Sequence, residues 1–193
     1  MPELSTLKLE IVPSPETNDH EVKIWADETE LLSLASAMGL DPDDLFHQPQ
    51  TLATSGVALV GRCDCGCLGC GDINARIEHH DSTVTWSVDG APQIHFARDA
   101  YLRELERARA DTTWETPERT AARLVRAALP SFQLQLTERG LSFDWASGRG
   151  DAAHFVVSLR SAKGQVMVRI ANDGDPPRRL AERMLEMLRS GTF

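Results

Sequence analysis

All four cysteines of this chain fall in one run, Cys63-Asp64-Cys65-Gly66-Cys67-Leu68-Gly69-Cys70-Gly71-Asp72, and no other stretch constrains the fold as strongly. A cysteine can bury as a small hydrophobe, but burial does not explain four thiols crowded between glycines. Val57-Ala58-Leu59-Val60 is a compact strand that leads into the run. Ile73, Ala75 and Ile77 alternate with Asn74, Arg76 and Glu78 on the way out, the period of a second strand. The run is therefore a loop between strands, and its glycines permit the positive φ angles and close backbone approach that a tight loop needs.

Thiolates suit zinc because the ion is borderline-soft and accepts tetrahedral sulfur sites on many backbones. Cys67-Leu68-Gly69-Cys70 has the two-residue spacing with which one turn presents both sulfurs to one ion, whereas Cys63 and Cys65 form a tighter chelate. Four ligands from so short a run strain the loop, so three sulfurs with one donor from elsewhere is the easier arrangement. Six strand residues carry the chain roughly 20 Å away from Asp72 at about 3.3 Å per residue, which places His79 and His80 too far off. The returning strand makes His95 the better-placed histidine, with Asp72 the other candidate. The expected ligand set is Cys63, Cys65, Cys67, Cys70 and His95, and the expected cofactor is zinc.

Thiol–disulfide exchange through Cys67 and Cys70 is the rival, since their spacing also serves redox chemistry. That chemistry usually relies on a helix N-terminus to lower the thiolate pKa, and here a strand follows. Iron–sulfur ligation lacks its usual spacings.

The series Cys63-x-Cys65-Gly66-x-x-Gly69-Cys70, Ile77, Thr83-Val84-x-Trp86 and Phe96 with Tyr101 resembles a motif series in uncharacterised bacterial proteins common in high-GC actinobacteria. The likeness spans residues 57 to 105. It implies that Cys63, Cys65 and Cys70 form the core of the site and that Cys67 is additional. It implies no activity. A basic set of 17 Arg and 3 Lys agrees with a high-GC genome.

Elsewhere the pattern is that of an α+β protein built on antiparallel sheets. Leu7, Leu9 and Ile11 alternate as a strand, Val22-Lys23-Ile24-Trp25 forms another, and Asp27 with Glu30 predicts a helix start. Its face is Leu31, Leu34, Ala35 and Met38, ending at Gly39. Asp41-Pro42-Asp43-Asp44 opens a short helix. Ile73 to Val88 reads as a β-hairpin turning through His79-His80-Asp81-Ser82, a polar turn with exposed histidines. A helix near Ala97 presents Tyr101, Leu105 and Ala108.

Asp111-Thr112-Thr113 separates an N-terminal unit, residues 1–110, from a C-terminal unit, residues 111–193. The second unit reads as helix, four-stranded meander, helix. Thr116-Pro117 caps the first helix, and Ala121, Leu124, Val125, Ala128 and Leu129 form its face. The strands follow at Phe132-Leu136, Leu141-Trp145, Phe155-Leu159 and Val166-Ile170, and Leu180, Ala181, Met184, Leu185 and Leu188 face inward on the last helix.

A net charge of −9 argues against nonspecific binding of nucleic acid. Residues 1–110 hold 8 Lys and Arg against 19 Asp and Glu, so the acidity belongs to the first unit and suits a basic protein partner. No apolar run is long enough to span a membrane, and Met1-Pro2-Glu3-Leu4-Ser5 is no secretory leader, which predicts a cytoplasmic protein. Gly-x-Ser-x-Gly, Gly-x-x-x-x-Gly-Lys and His-Glu-x-x-His are all missing. The expectation is a non-enzymatic bacterial protein with a structural zinc knuckle, acting through an unknown protein partner in the manner of an inhibitor or immunity protein.

Overall fold

The computed structural model describes residues 3–14, 19–33, 37–48, 52–63, 71–88, 92–149 and 153–193. Compact units divide between Trp114 and Glu115, a few residues beyond the position read from composition. Trp114 explains the shift. Its indole N–H donates to the Asp111 carbonyl at 2.8 Å and its ring lies against His20, which ties the segment to the first unit.

Both units are α+β with antiparallel sheets. In the first, β1 (Leu7–Ser14) pairs with β2 (Asp19–Ala26), and the short β3 (Thr29–Glu30) adds to β2. A second sheet has the order β4 (Ala37–Gly39), β5 (Gly56–Cys63), β6 (Ile73–His79), β7 (Thr83–Val88), β8 (Ile94–Ala97). The short α1 (Pro42–Phe46) forms where the sequence places it, capped by the Asp41 carboxylate, and α2 (Arg98–Ala110) buries Tyr101 and Ala108. Trp86, Phe96 and Tyr101 centre this core, with Trp86 set edge-on to both other rings at 6.0 Å. Each such aromatic pair adds about 0.5–1.5 kcal/mol beyond its burial.

The helix expected from Asp27 is not formed. Asp27 adopts the left-handed conformation (φ 55°) and its carboxylate accepts the Thr6 N–H at 2.7 Å, so it turns the chain from β2 into β3. Thr29–Glu30 and Ala37–Gly39 are strands; Leu34 and Ala35 lie outside the described residues. Gly39 serves as a point of close approach instead of a helix cap, because a Cβ there would stand 2.1 Å from the Val22 carbonyl oxygen.

In the second unit α3 (Pro117–Ala128) is capped by Thr116, a 3-10 turn at Leu129–Ser131 leads to α4 (Gln133–Glu138), and β9 (Leu141–Ser147), β10 (His154–Ser161) and β11 (Gly164–Ala171) form a meander. The final helix α5 (Pro177–Ser190) buries Leu180, Ala181, Met184, Leu185 and Leu188, the face read from sequence. These side chains pack with Ala121, Val125, Phe155, Val157, Leu159 and Val168. The meander has three strands, not four, because Gln133–Glu138 is helical, with Phe132 as its N-cap. Phe132 and Leu136 are buried while Leu134 is 71% exposed, the signature of a four-residue helical step and not of alternation.

Candidate functional site

The cysteine run connects β5 to β6 as the sequence requires. Gly61 stands opposite Ile73 in the ladder, and Cys63 continues β5 as the register partner of Ala37 on β4. Gly71 has φ +82°, and a Cβ built there would lie 3.2 Å from the Cys63 Cβ and 3.9 Å from its Sγ. A residue with a side chain at 71 would therefore be strained in conformation and pressed against the thiol. The two ends of the run thus meet, with Cys63 half-buried and Asp72 exposed beside it. Cys65, Cys67 and Cys70 lie outside the described residues. Among the described residues no cluster of three or more His, Cys, Asp or Glu could hold a metal ion.

His95 is not brought to this end of the sheet. Val88 does return beside Ala75, but β8 begins only at Ile94, which puts His95 opposite Thr85, itself opposite Glu78. That position is roughly 20 Å along the strands from Gly71 at about 3.3 Å per residue, and two strands to one side. There the His95 Nδ1 lies 3.1 Å from the Thr85 hydroxyl. Register, not chain distance, sets this position.

His79 departs from the reading of its turn as merely polar and exposed. The hairpin forms as expected, with the His80 N–H donating to the Thr83 carbonyl. The His79 ring, however, sits edge-on to Tyr101 at 5.7 Å, and both of its nitrogens are buried with no hydrogen-bond partner among the described residues. Burial holds its pKa below the ordinary histidine value, aided by Arg98 and His80 and opposed by the nearby Leu52 carbonyl. That carbonyl accepts the Tyr101 hydroxyl at 2.8 Å, and Tyr101 in turn accepts the Trp86 indole N–H at 3.2 Å. Burial pushes the Tyr101 hydroxyl pKa up. The group is a packed core network that ties the Leu52 segment to β6, β7 and α2.

Two polar devices escaped the sequence reading altogether. The Glu104 carboxylate accepts the Leu9 N–H at 2.7 Å while Arg107 donates to the Leu9 carbonyl at 2.5 Å, so an α2 ion pair occupies the free edge of β1. Gln48 does the same on β5, accepting the Leu59 N–H at 2.9 Å and donating to the Leu59 carbonyl at 2.6 Å. Side-chain bonds between residues so distant in sequence leave no periodic signal. A groove of about 240 Å³ lies nearby, with Phe46, Leu52, Leu102 and Leu105 along it and Gln48, Glu106 and Arg109 as its polar members.

The fold and this hairpin define the chain as an α+β protein of antiparallel sheets with a cysteine-rich β5–β6 connection. Comparison with protein-family models, with curated proteins and with solved structures found no match. No helix among the described residues is long and apolar enough to cross a membrane.

Proposed function

We propose that this chain is a non-catalytic binding protein whose β5–β6 hairpin carries a zinc knuckle ligated by Cys63, Cys65, Cys67 and Cys70. The observation that carries the reading is the meeting of Cys63 with Gly71, which closes the run at its base. A thiolate set is the donor chemistry that zinc prefers, and zinc supplies a redox-inert cross-link between the two strands. Asp72, next to Gly71, is the further donor this reading favours over His95, whose Nδ1 lies against the Thr85 hydroxyl.

Such a knuckle fixes the hairpin end as a surface for another protein. The acid excess of residues 1–110 favours a basic partner. The redox alternative through Cys67 and Cys70 finds less support, because strands and not a helix N-terminus flank the run.

Alkylation of the native full chain, counted by mass spectrometry before and after a chelator is added, tests the proposal. Thiols protected until the chelator acts are the expected result. Thiols that react fully beforehand, or a reversible Cys67–Cys70 disulfide without metal, would overturn it.

A further inference from the structure

A strand at the edge of a sheet exposes a row of N–H and C=O groups that pairs with any available strand, so natural proteins plug, shorten or distort such edges. This chain does so repeatedly. The Asp27 N–H donates to the Thr6 carbonyl, which sets the ladder so that Leu7, Leu9, Ile11 and Pro13 turn their backbone groups away from β2. Glu104 and Arg107 occupy Leu9, and Pro13 has no N–H to offer. Gln48 occupies Leu59 on β5. Ser5 donates to the His95 carbonyl on β8 at 2.7 Å, and β3 is only 2 residues long. On β9 a bulge at Asp144 breaks the register, and that carboxylate accepts bonds from Ser158 and Arg160.

The β11 edge has none of these devices. Its pairing with β10 runs without a shift from Gly164 to Ala171, and it contains no proline. The Asn172 N–H donates to the Ala153 carbonyl at 2.8 Å, so by alternation Gln165, Met167, Arg169 and Ala171 direct their backbone groups outward. All four are exposed, and no hydrogen bond reaches their outward groups from any described residue. On the core face the strand carries Val166, Val168 and Ile170. Arg169 is its one charged residue.

We infer that β11 is a self-association edge, at which two copies of this chain pair antiparallel about a twofold axis at Val168 to make one six-stranded sheet. The strand fits its own copy. With Val168 opposite itself, Val166 meets the partner's Ile170 on the core face, so the apolar layer runs on across the junction. On the outer face Met167 meets the partner's Arg169, and Gln165 meets the partner's Ala171. The outward backbone groups then face each other as mutual hydrogen-bonded pairs, and the only charges on the strand never stand opposite one another. A contact of one strand is smaller than a standard interface, so the dimer is concentration-dependent.

Sedimentation velocity of the full chain, from the micromolar to the millimolar range, tests this. A species of twice the 21.3 kDa chain mass should grow with concentration. Met167→Pro removes an outward N–H and costs β10 no ladder bond, so the monomer tolerates it. Met167→Lys sets a positive charge opposite the partner's Arg169 and leaves the backbone intact. Each should raise the dissociation constant by about tenfold or more, roughly 1.4 kcal/mol, while Ser142→Lys on β9 leaves it unchanged. A chain that stays monomeric throughout, a dimer indifferent to both Met167 variants, or one equally lost with Ser142→Lys overturns the inference.

Discussion

Glu104 and Leu9, 95 positions apart in the chain, are joined by a 2.7 Å hydrogen bond from the Leu9 N–H to the Glu104 carboxylate. Arg107 completes the contact by donating to the carbonyl of the same residue, so one helix seals the strand edge at Leu9. Glu104→Ala leaves the part-buried Leu9 N–H without its acceptor and Arg107 without its counter-ion. The expected cost is about 1–3 kcal/mol, with Glu104→Gln milder because it keeps an acceptor. Amide exchange at Leu9 reports it directly, and unchanged protection in Glu104→Ala would contradict the role.

Acidification should weaken the first unit in two stages. Burial holds the folded-state pKa of His79 down, so the unfolded chain takes up a proton that the folded chain refuses. Stability from this group is complete above the unfolded value of about 6.5 and is lost as pH falls through the lower folded value. For Glu104, burial opposes ionisation, but the Arg107 and Leu9 hydrogen bonds outweigh it and hold the carboxyl below its ordinary range. Its contribution is present above the unfolded value of about 4.3 and lost below it. Denaturation measured against pH should show both stages, and His79→Phe should remove the first. A flat profile between neutrality and the carboxylate range would contradict the burial of the His79 ring nitrogens.

Leu134 and Leu136 offer a sharp contrast two positions apart. Leu136 is fully buried and Leu134 is 71% exposed. Leu136→Ala should cost about 2–5 kcal/mol, and Leu134→Ala no more than about 0.5 kcal/mol. Comparable costs in urea denaturation would restore a strand at this position.

Arg139 fastens the end of α5 by donating to the Leu188 carbonyl at 2.9 Å and the Arg189 carbonyl at 2.8 Å. These are carbonyls that the helix itself leaves without donors. Arg139→Ala should destabilise the second unit by about 1–2 kcal/mol, read as faster amide exchange in the last turn of α5. Arg139→Lys should restore only part of this, since one ammonium lacks the fork that spans two carbonyls.

Most strands and the three long helices were legible because each buries one face, and periodicity records that directly. Ile73, Ala75 and Ile77 on β6, and Leu180 to Leu188 on α5, are the clear cases. Phe132-Leu136 misled because alternation and a helical step share their first and last positions, and only the exposure of Leu134 separates them. Asp27 looked like a helix cap because its carboxylate does accept a backbone N–H, but the donor is Thr6, distant in sequence. The cysteine loop was legible as a strand connection, while the position of His95 depends on a register that sequence does not carry.

The most direct test of the zinc knuckle is the native mass of the full chain, purified without a histidine tag. One zinc bound per 21.3 kDa chain, released on acidification as the thiolates protonate, is the expected result. Cys63→Ser should weaken retention of the ion. A metal-free native mass with all four thiols open to titration would contradict the knuckle outright.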